Sequence, residues 1–171
     1  MERIPKMLDF IEAEIKNAVD KRKQTWKYLD TGKVKLKIQN FIKKQGEEIH
    51  GDLFLTYLKS SYILGSHEFK VAIYKNAPFI ELYPPYDYIN MTPLFVDIKA
   101  DMDILITKLG LQFIRILPSE IEEIRRYYVE WLYNESSILF KQVFSNLQSD
   151  IELPAVFFGA ELGEVKLIEE M

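Results

Sequence analysis

Residues 67–85 read His-Glu-Phe-Lys-Val-Ala-Ile-Tyr-Lys-Asn-Ala-Pro-Phe-Ile-Glu-Leu-Tyr-Pro-Pro, and they decide the fold class. Phe69, Val71 and Ile73 alternate with Lys70, Ala72 and Tyr74, the period-2 pattern of a strand with two unlike faces. Asn76-Ala77-Pro78 supplies a turn and Phe79 to Tyr83 a second β-rich run. Residues 67–83 therefore read as an antiparallel hairpin. Pro84-Pro85 is expected to end its second strand, because proline donates no ladder hydrogen bond. Residues 84–95, rich in Tyr, Pro and Phe, then read as a loop.

Upstream, Ile4, Met7, Leu8, Ile11, Ile15, Ala18, Val19, Trp26 and Leu29 fall on one stripe at the 3.6-residue period. This predicts a helix over 3–29, with Pro5 tolerated in its first turn and Gly32 as its stop. Residues 33–46 mix strand-like and helix-like spacing and are read as a short helix. Leu53 to Leu64 fits either type.

Downstream, a helix is expected at 97–109, closed by Gly110, and a strand at 111–117, bounded by Pro118. Ser119 is the expected N-cap of a long helix over 119–147, with Glu120, Glu122 and Glu123 favourable in its first turn. Asn134-Glu135-Ser136-Ser137 interrupts the pattern, and Asn and Ser compete with helical backbone bonds, so a break near Asn134 is favoured. Ala155 to Phe158 reads as a short strand, and 164–171 as a weak helix or strand. The expected class is α+β in a single domain, 1–171. A small antiparallel sheet, made of hairpin 67–83 and the strand near 111–117, would pack against the two long helices.

Composition narrows the function classes. Almost half of the 171 residues are apolar, which suffices for a core. The absence of cysteine excludes disulfides, thiolate zinc sites and cysteine nucleophiles. Asp9, Glu12 and Glu14 break up the N-terminal apolar run, against a secretory signal. No run reaches the ~18 apolar residues of a membrane span. A cytoplasmic protein without cofactor or metal is the expectation, and the Ile and Lys content points to an AT-rich bacterial genome.

No nucleophile elbow, phosphate loop or HExxH spacing occurs. Gly159 to Gly163 holds two glycines, too few to cradle a phosphate. Asp101-Met102-Asp103 lies near a helix start, where acids are stabilised anyway. The two histidines, His50 and His67, each stand beside a carboxylate without metal-ligand spacing.

Net charge is −4, unevenly spread: residues 1–44 carry 12 Lys/Arg against 6 Asp/Glu. Lys21, Arg22, Lys23 and Lys27, with Lys33, Lys35, Lys37, Lys43 and Lys44, make the best nucleic-acid argument, and Trp26 or Tyr28 is placed to stack a base. The pI of 5.3 and the scarcity of arginine argue against it. Tyr83, Tyr86 and Tyr88 around Pro84-Pro85 make a stiff, amphipathic segment of the kind enriched at protein interfaces. Phe140, Val143, Phe144 and Leu147 form an apolar arc wide enough for a homodimer or partner contact, or for burial under the C-terminal tail. Arg22 and Glu135 both fall on apolar stripes and would pair across the core if the helices ran unbroken.

The leading expectation is a non-catalytic protein-binding domain, of adaptor, accessory or immunity type. It would use Tyr83, Tyr86, Tyr88, Phe140 and Phe144 to bind another protein. The alternatives are an enzyme with an acid–base site assembled from His50, His67, Glu68 and the loop tyrosines, and nucleic-acid binding through residues 16–44.

Overall fold

The apolar stripe beginning at Ile4 does wind into a helix, and it is the longest element of the chain. The computed structural model describes residues 3–46, 51–75, 83–148, 155–161 and 163–169. In order these form α1 (Arg3–Trp26), α2 (Gly32–Lys44), β1 (Asp52–Tyr57), α3 (Lys59–Leu64), β2 (Glu68–Tyr74) and β3 (Tyr86–Asn90). A 3-10 turn (Thr92–Phe95), α4 (Ile98–Leu109), α5 (Pro118–Glu135), α6 (Ser137–Gln148), β4 (Val156–Ala160) and β5 (Val165–Glu169) follow. The class is α+β. Among the described residues no helix is long and apolar enough to cross a membrane.

The chain gathers into two compact units, each built from two stretches: Met1–Tyr28 with Pro93–Ser136, and Leu29–Thr92 with Ser137–Met171. In the first, α1 packs on α4 and α5. Met7, Ile11, Ile15 and Val19 of α1, Met102, Leu105 and Leu109 of α4, and Ile124, Val129 and Leu132 of α5 are buried. Each such side chain contributes roughly 1.5–3 kcal/mol by leaving water. Phe10 meets Phe113 edge to face at 5.8 Å, and Phe95 meets Tyr133 at 4.5 Å.

The second unit is a five-stranded mixed sheet in the order β3-β2-β1-β4-β5. β1 pairs antiparallel with β2 and parallel with β4; β2–β3 and β4–β5 are antiparallel. The alternation at 69–74 puts Phe69, Val71 and Ile73 on one face, opposite Tyr57, Leu55 and Leu53 of β1. That face is buried, and α2 and α6 belong to the same unit, with Phe140 of α6 centred 5.1 Å from Phe69 and 5.8 Å from Phe158. The other face holds Phe54 stacked on Phe157 at 4.8 Å, with Tyr74 edge-on to Phe54 at 5.2 Å.

Several expectations change. The second strand expected at 79–83 falls largely on residues outside those described, and Tyr83 itself lies in a bend. The strand that pairs with β2 comes later, at Tyr86–Asn90, within the expected loop. Pro85 lacks a donor, but its carbonyl accepts from Ile73 N–H at 3.1 Å, so the proline pair leads into β3.

Residues 111–117 are not a strand. The N–H groups of Leu111, Gln112 and Phe113 bond back to Lys108 and Leu109 carbonyls as α4 unwinds, and Arg115 takes a φ of 53° that no strand tolerates. Nor does α1 reach Gly32. It ends at Trp26, and Gly32 opens α2, its N–H bonded to Asp30 Oδ1 at 2.9 Å.

Ser119 is not the cap of α5. The helix starts at Pro118, and the Glu120 carboxylate reaches back to the Leu117 N–H at 2.8 Å. The break expected near Asn134 is real. Ser136 separates α5 from α6, with its Oγ donating to the Tyr133 carbonyl at 2.6 Å.

Gly159 shows why the tail strands can lie so close. A Cβ there would come within 2.1 Å of the Glu164 carbonyl oxygen, across the β4–β5 turn. Gly159→Ala therefore forces backbone apart and should cost about 1–3 kcal/mol in urea unfolding. Phe140→Ala should cost about 3–5 kcal/mol, because it empties the ring contact between α6 and the sheet.

Candidate functional site

Strand β3 carries the tyrosines that the sequence singles out. Alternation turns Ile89 into the core, while Tyr86 and Tyr88 share the opposite face. Their rings meet edge to face at 5.5 Å, and Lys70 Nζ stands 5.2 Å from the Tyr86 ring centroid. Lys70 is fixed from its other side by Glu161 at 3.0 Å. Burial disfavours the Lys70 charge, but the Glu161 hydrogen bond together with the fields of Tyr74, Glu161 and Tyr88 holds its pKa above the usual lysine value. Burial, then repulsion from Tyr86, pushes the Tyr88 phenol up, so it stays a neutral donor at physiological pH. Tyr83, Tyr86 and Tyr88 are 91%, 55% and 38% exposed.

β3 is also a sheet edge, and its polar backbone is partly covered. Tyr88 N–H donates to Asp87 Oδ1 at 2.7 Å. Lys37 Nζ from α2 donates to the Tyr88 carbonyl and lies 3.6 Å from Asp87. Charged side chains placed this way discourage another strand from pairing with an edge.

Between α2 and that edge lies a groove of about 290 Å³, lined by Lys33, Leu36, Lys37, Asn40, Phe41, Lys44 and Asp87. Lys33, Lys37, Asn40 and Lys44 stand at i, i+4, i+7 and i+11, one face of a helix at ~100° per residue. Lys35 points elsewhere, donating to the Asn146 carbonyl at 2.8 Å.

The expected basic cluster of α1 does not act as a unit. Arg22 donates through Nε to Asp101 Oδ2 at 2.7 Å and through Nη2 at 2.5 Å, and also to the Val96 carbonyl. Tyr128 OH donates to the same Asp101 oxygen at 2.6 Å. Burial works against the Arg22 charge, yet Asp101 holds its pKa above the usual value; burial and donation to Asp101 push Tyr128 above the usual tyrosine range. The Arg22–Glu135 pair is thus replaced: Arg22 takes Asp101, and its neighbour Lys23 takes Glu135 at 2.5 Å. Lys27 donates to Gln24 at 2.8 Å, and Lys21 is exposed. Trp26 is buried and donates to the Leu94 carbonyl at 3.2 Å, which removes it as a base-stacking platform; Tyr28 remains exposed.

Phe140 and Phe144 are fully buried, so they are core and present no surface to a partner. His50 lies outside the described residues. His67 is buried in the turn before β2 with φ 45°, its carbonyl accepting from Met91 N–H at 2.9 Å. Glu68 is half-buried at the start of β2, within 3.4 Å of the Ser66 hydroxyl. Among the described residues no group of three or more His, Asp or Glu side chains is placed to hold a metal ion.

Compared with known proteins, the chain matches no family model, no curated protein and no solved structure.

The Asp101 cluster yields two predictions. Asp101→Ala strands a guanidinium and a phenol and should cost about 3 kcal/mol, at the low end for a buried pair because the Arg22 head keeps some contact with water. Tyr128 has a folded pKa raised above its unfolded value of 10.0. The stability it lends is complete below that pH and is lost as pH rises through the folded value. Urea midpoints at pH 8 and pH 11 should therefore fall further for the native chain than for Tyr128→Phe.

Proposed function

We propose that this chain is a non-catalytic protein-binding module that contacts its partner through the tyrosine face of the sheet edge. The observation that carries this reading is the trio Tyr83, Tyr86 and Tyr88, exposed on or just before an edge strand. Tyrosine offers a large amphipathic contact with few rotors to freeze, so it is favoured at interfaces. Two of these rings are already held, Tyr86 by Tyr88 and by Lys70, so little order is left to impose on binding. The Lys70–Glu161 pair beside them is a charged rim able to set register.

The test is a photo-crosslinking side chain placed at position 86 in the native host. The expected result is a single discrete protein adduct. Tyr86→Ala with Tyr88→Ala should lower recovery of that partner at least about tenfold, the scale of a modest hot spot, with the circular dichroism spectrum unchanged. A chain that gives no protein adduct from position 86 would overturn the reading.

A further inference from the structure

We infer that the groove between α2 and the β3 edge receives an extended acidic segment of the partner protein. This rests on the protein-binding reading above and names the chemistry the partner brings. The groove sets three ammonium groups against one carboxylate, in a chain whose net charge is −4. Of these, Lys37 is committed to Asp87 and to the Tyr88 carbonyl. Lys33 and Lys44 are exposed and make no ion pair or hydrogen bond among the described residues. Two cations without a partner among the described residues therefore stand at the two ends of one helical face.

Their spacing sets the ligand. Eleven residues at ~1.5 Å each separate them by about 16 Å along α2. Side chains on one face of an extended peptide stand an even number of residues apart; four residues at ~3.3 Å each cover about 13 Å, and the flexible lysine stems close the rest. Between the lysines lie Leu36, 57% exposed, and the edge of Phe41. The complementary segment is thus two acidic residues four apart with an apolar residue midway between them, all three on one face. It lies along the groove by its side chains, because Asp87 and Lys37 already occupy the N–H and carbonyl of Tyr88 that an added strand would need. A nucleic-acid strand fits less well. Asp87 would repel its phosphates, the floor is aliphatic at Leu36, and no arginine lines the groove.

The probe is a fluorescent peptide, Glu-Ala-Leu-Ala-Glu, titrated with the full chain and read by anisotropy. A Lys-Ala-Leu-Ala-Lys peptide and a labelled oligothymidine serve as comparisons. The acidic peptide should bind and the basic one should not. K33E/K44E, both on the exposed helix face and leaving Lys37 in place, should weaken binding at least about tenfold. K21E, on α1, should leave it unchanged. Raising salt from about 50 to 200 mM should weaken it severalfold.

No binding of the acidic peptide at millimolar chain, or binding indifferent to K33E/K44E, overturns the inference. Oligothymidine bound more tightly than the peptide through the same lysines overturns it in favour of nucleic acid. Repeating the position-86 crosslink in the K33E/K44E background separates the two ideas. An adduct of undiminished yield there means that the groove fails while the tyrosine reading stands; no adduct in either background means that both fall.

Discussion

β1 is paired on both sides, antiparallel to β2 and parallel to β4, and the sheet depends on that double pairing. Parallel neighbours cannot be joined by a tight turn; the chain must travel and return. Between Tyr57 and Val156 it lays down β2, β3 and the helices α3 to α6 before β4 docks. That excursion explains why each compact unit is made of two stretches of chain. From β4, Phe157 stacks on Phe54 while Phe158 joins Phe69 and Phe140, so this one strand supplies rings to both faces of the sheet.

What was legible in the sequence was local. The alternation over 69–74 and the apolar stripe of α1 needed no partner to be recognised, and Asn134 to Ser137 marked the helix break through its own side-chain competition for backbone bonds. What was not legible depended on remote partners. Leu53 to Leu64 could not be typed because β1 is a central strand, buried on both faces, so its apolar run shows no alternation. Residues 111–117 have the composition of a strand, yet no edge receives them. Arg3 from the start of α1 instead holds the carbonyls of Ile114 and Arg115, and the segment stays irregular.

The candidate site shows the same division. Clustered lysine and arginine in 1–44 pointed to one basic surface, but charge along a sequence is not charge on a face. Arg22 and Lys23 are spent on Asp101 and Glu135, and Lys35 on a carbonyl of α6. Among the described residues Lys33 and Lys44, like Lys21 and Lys43, make no ion pair, and the local signal that Lys33 and Lys44 share a face was their spacing on α2. Phe140 and Phe144 show the converse error. The arc left open an interface or burial under the C-terminal tail, and the interface reading of Phe140 and Phe144 fails because α6 meets both α2 and β5 of that tail and buries all of it.

The edge strand joins these threads. An unpaired strand invites association with any other strand, through groups every polypeptide has. Here the Tyr88 N–H and carbonyl are taken by Asp87 and Lys37, and the two capping side chains pair with each other. Generic strand addition at Tyr88 must first break that pair. The groups left facing outward are side chains: tyrosine rings on one flank, lysine ammoniums on the other. Backbone pairing accepts almost any sequence, while rings and charges at fixed spacing reject most of them. On the protein-binding reading proposed above, the cap on β3 would trade indiscriminate affinity for selectivity, by removing the wrong partners' principal hold on the sheet.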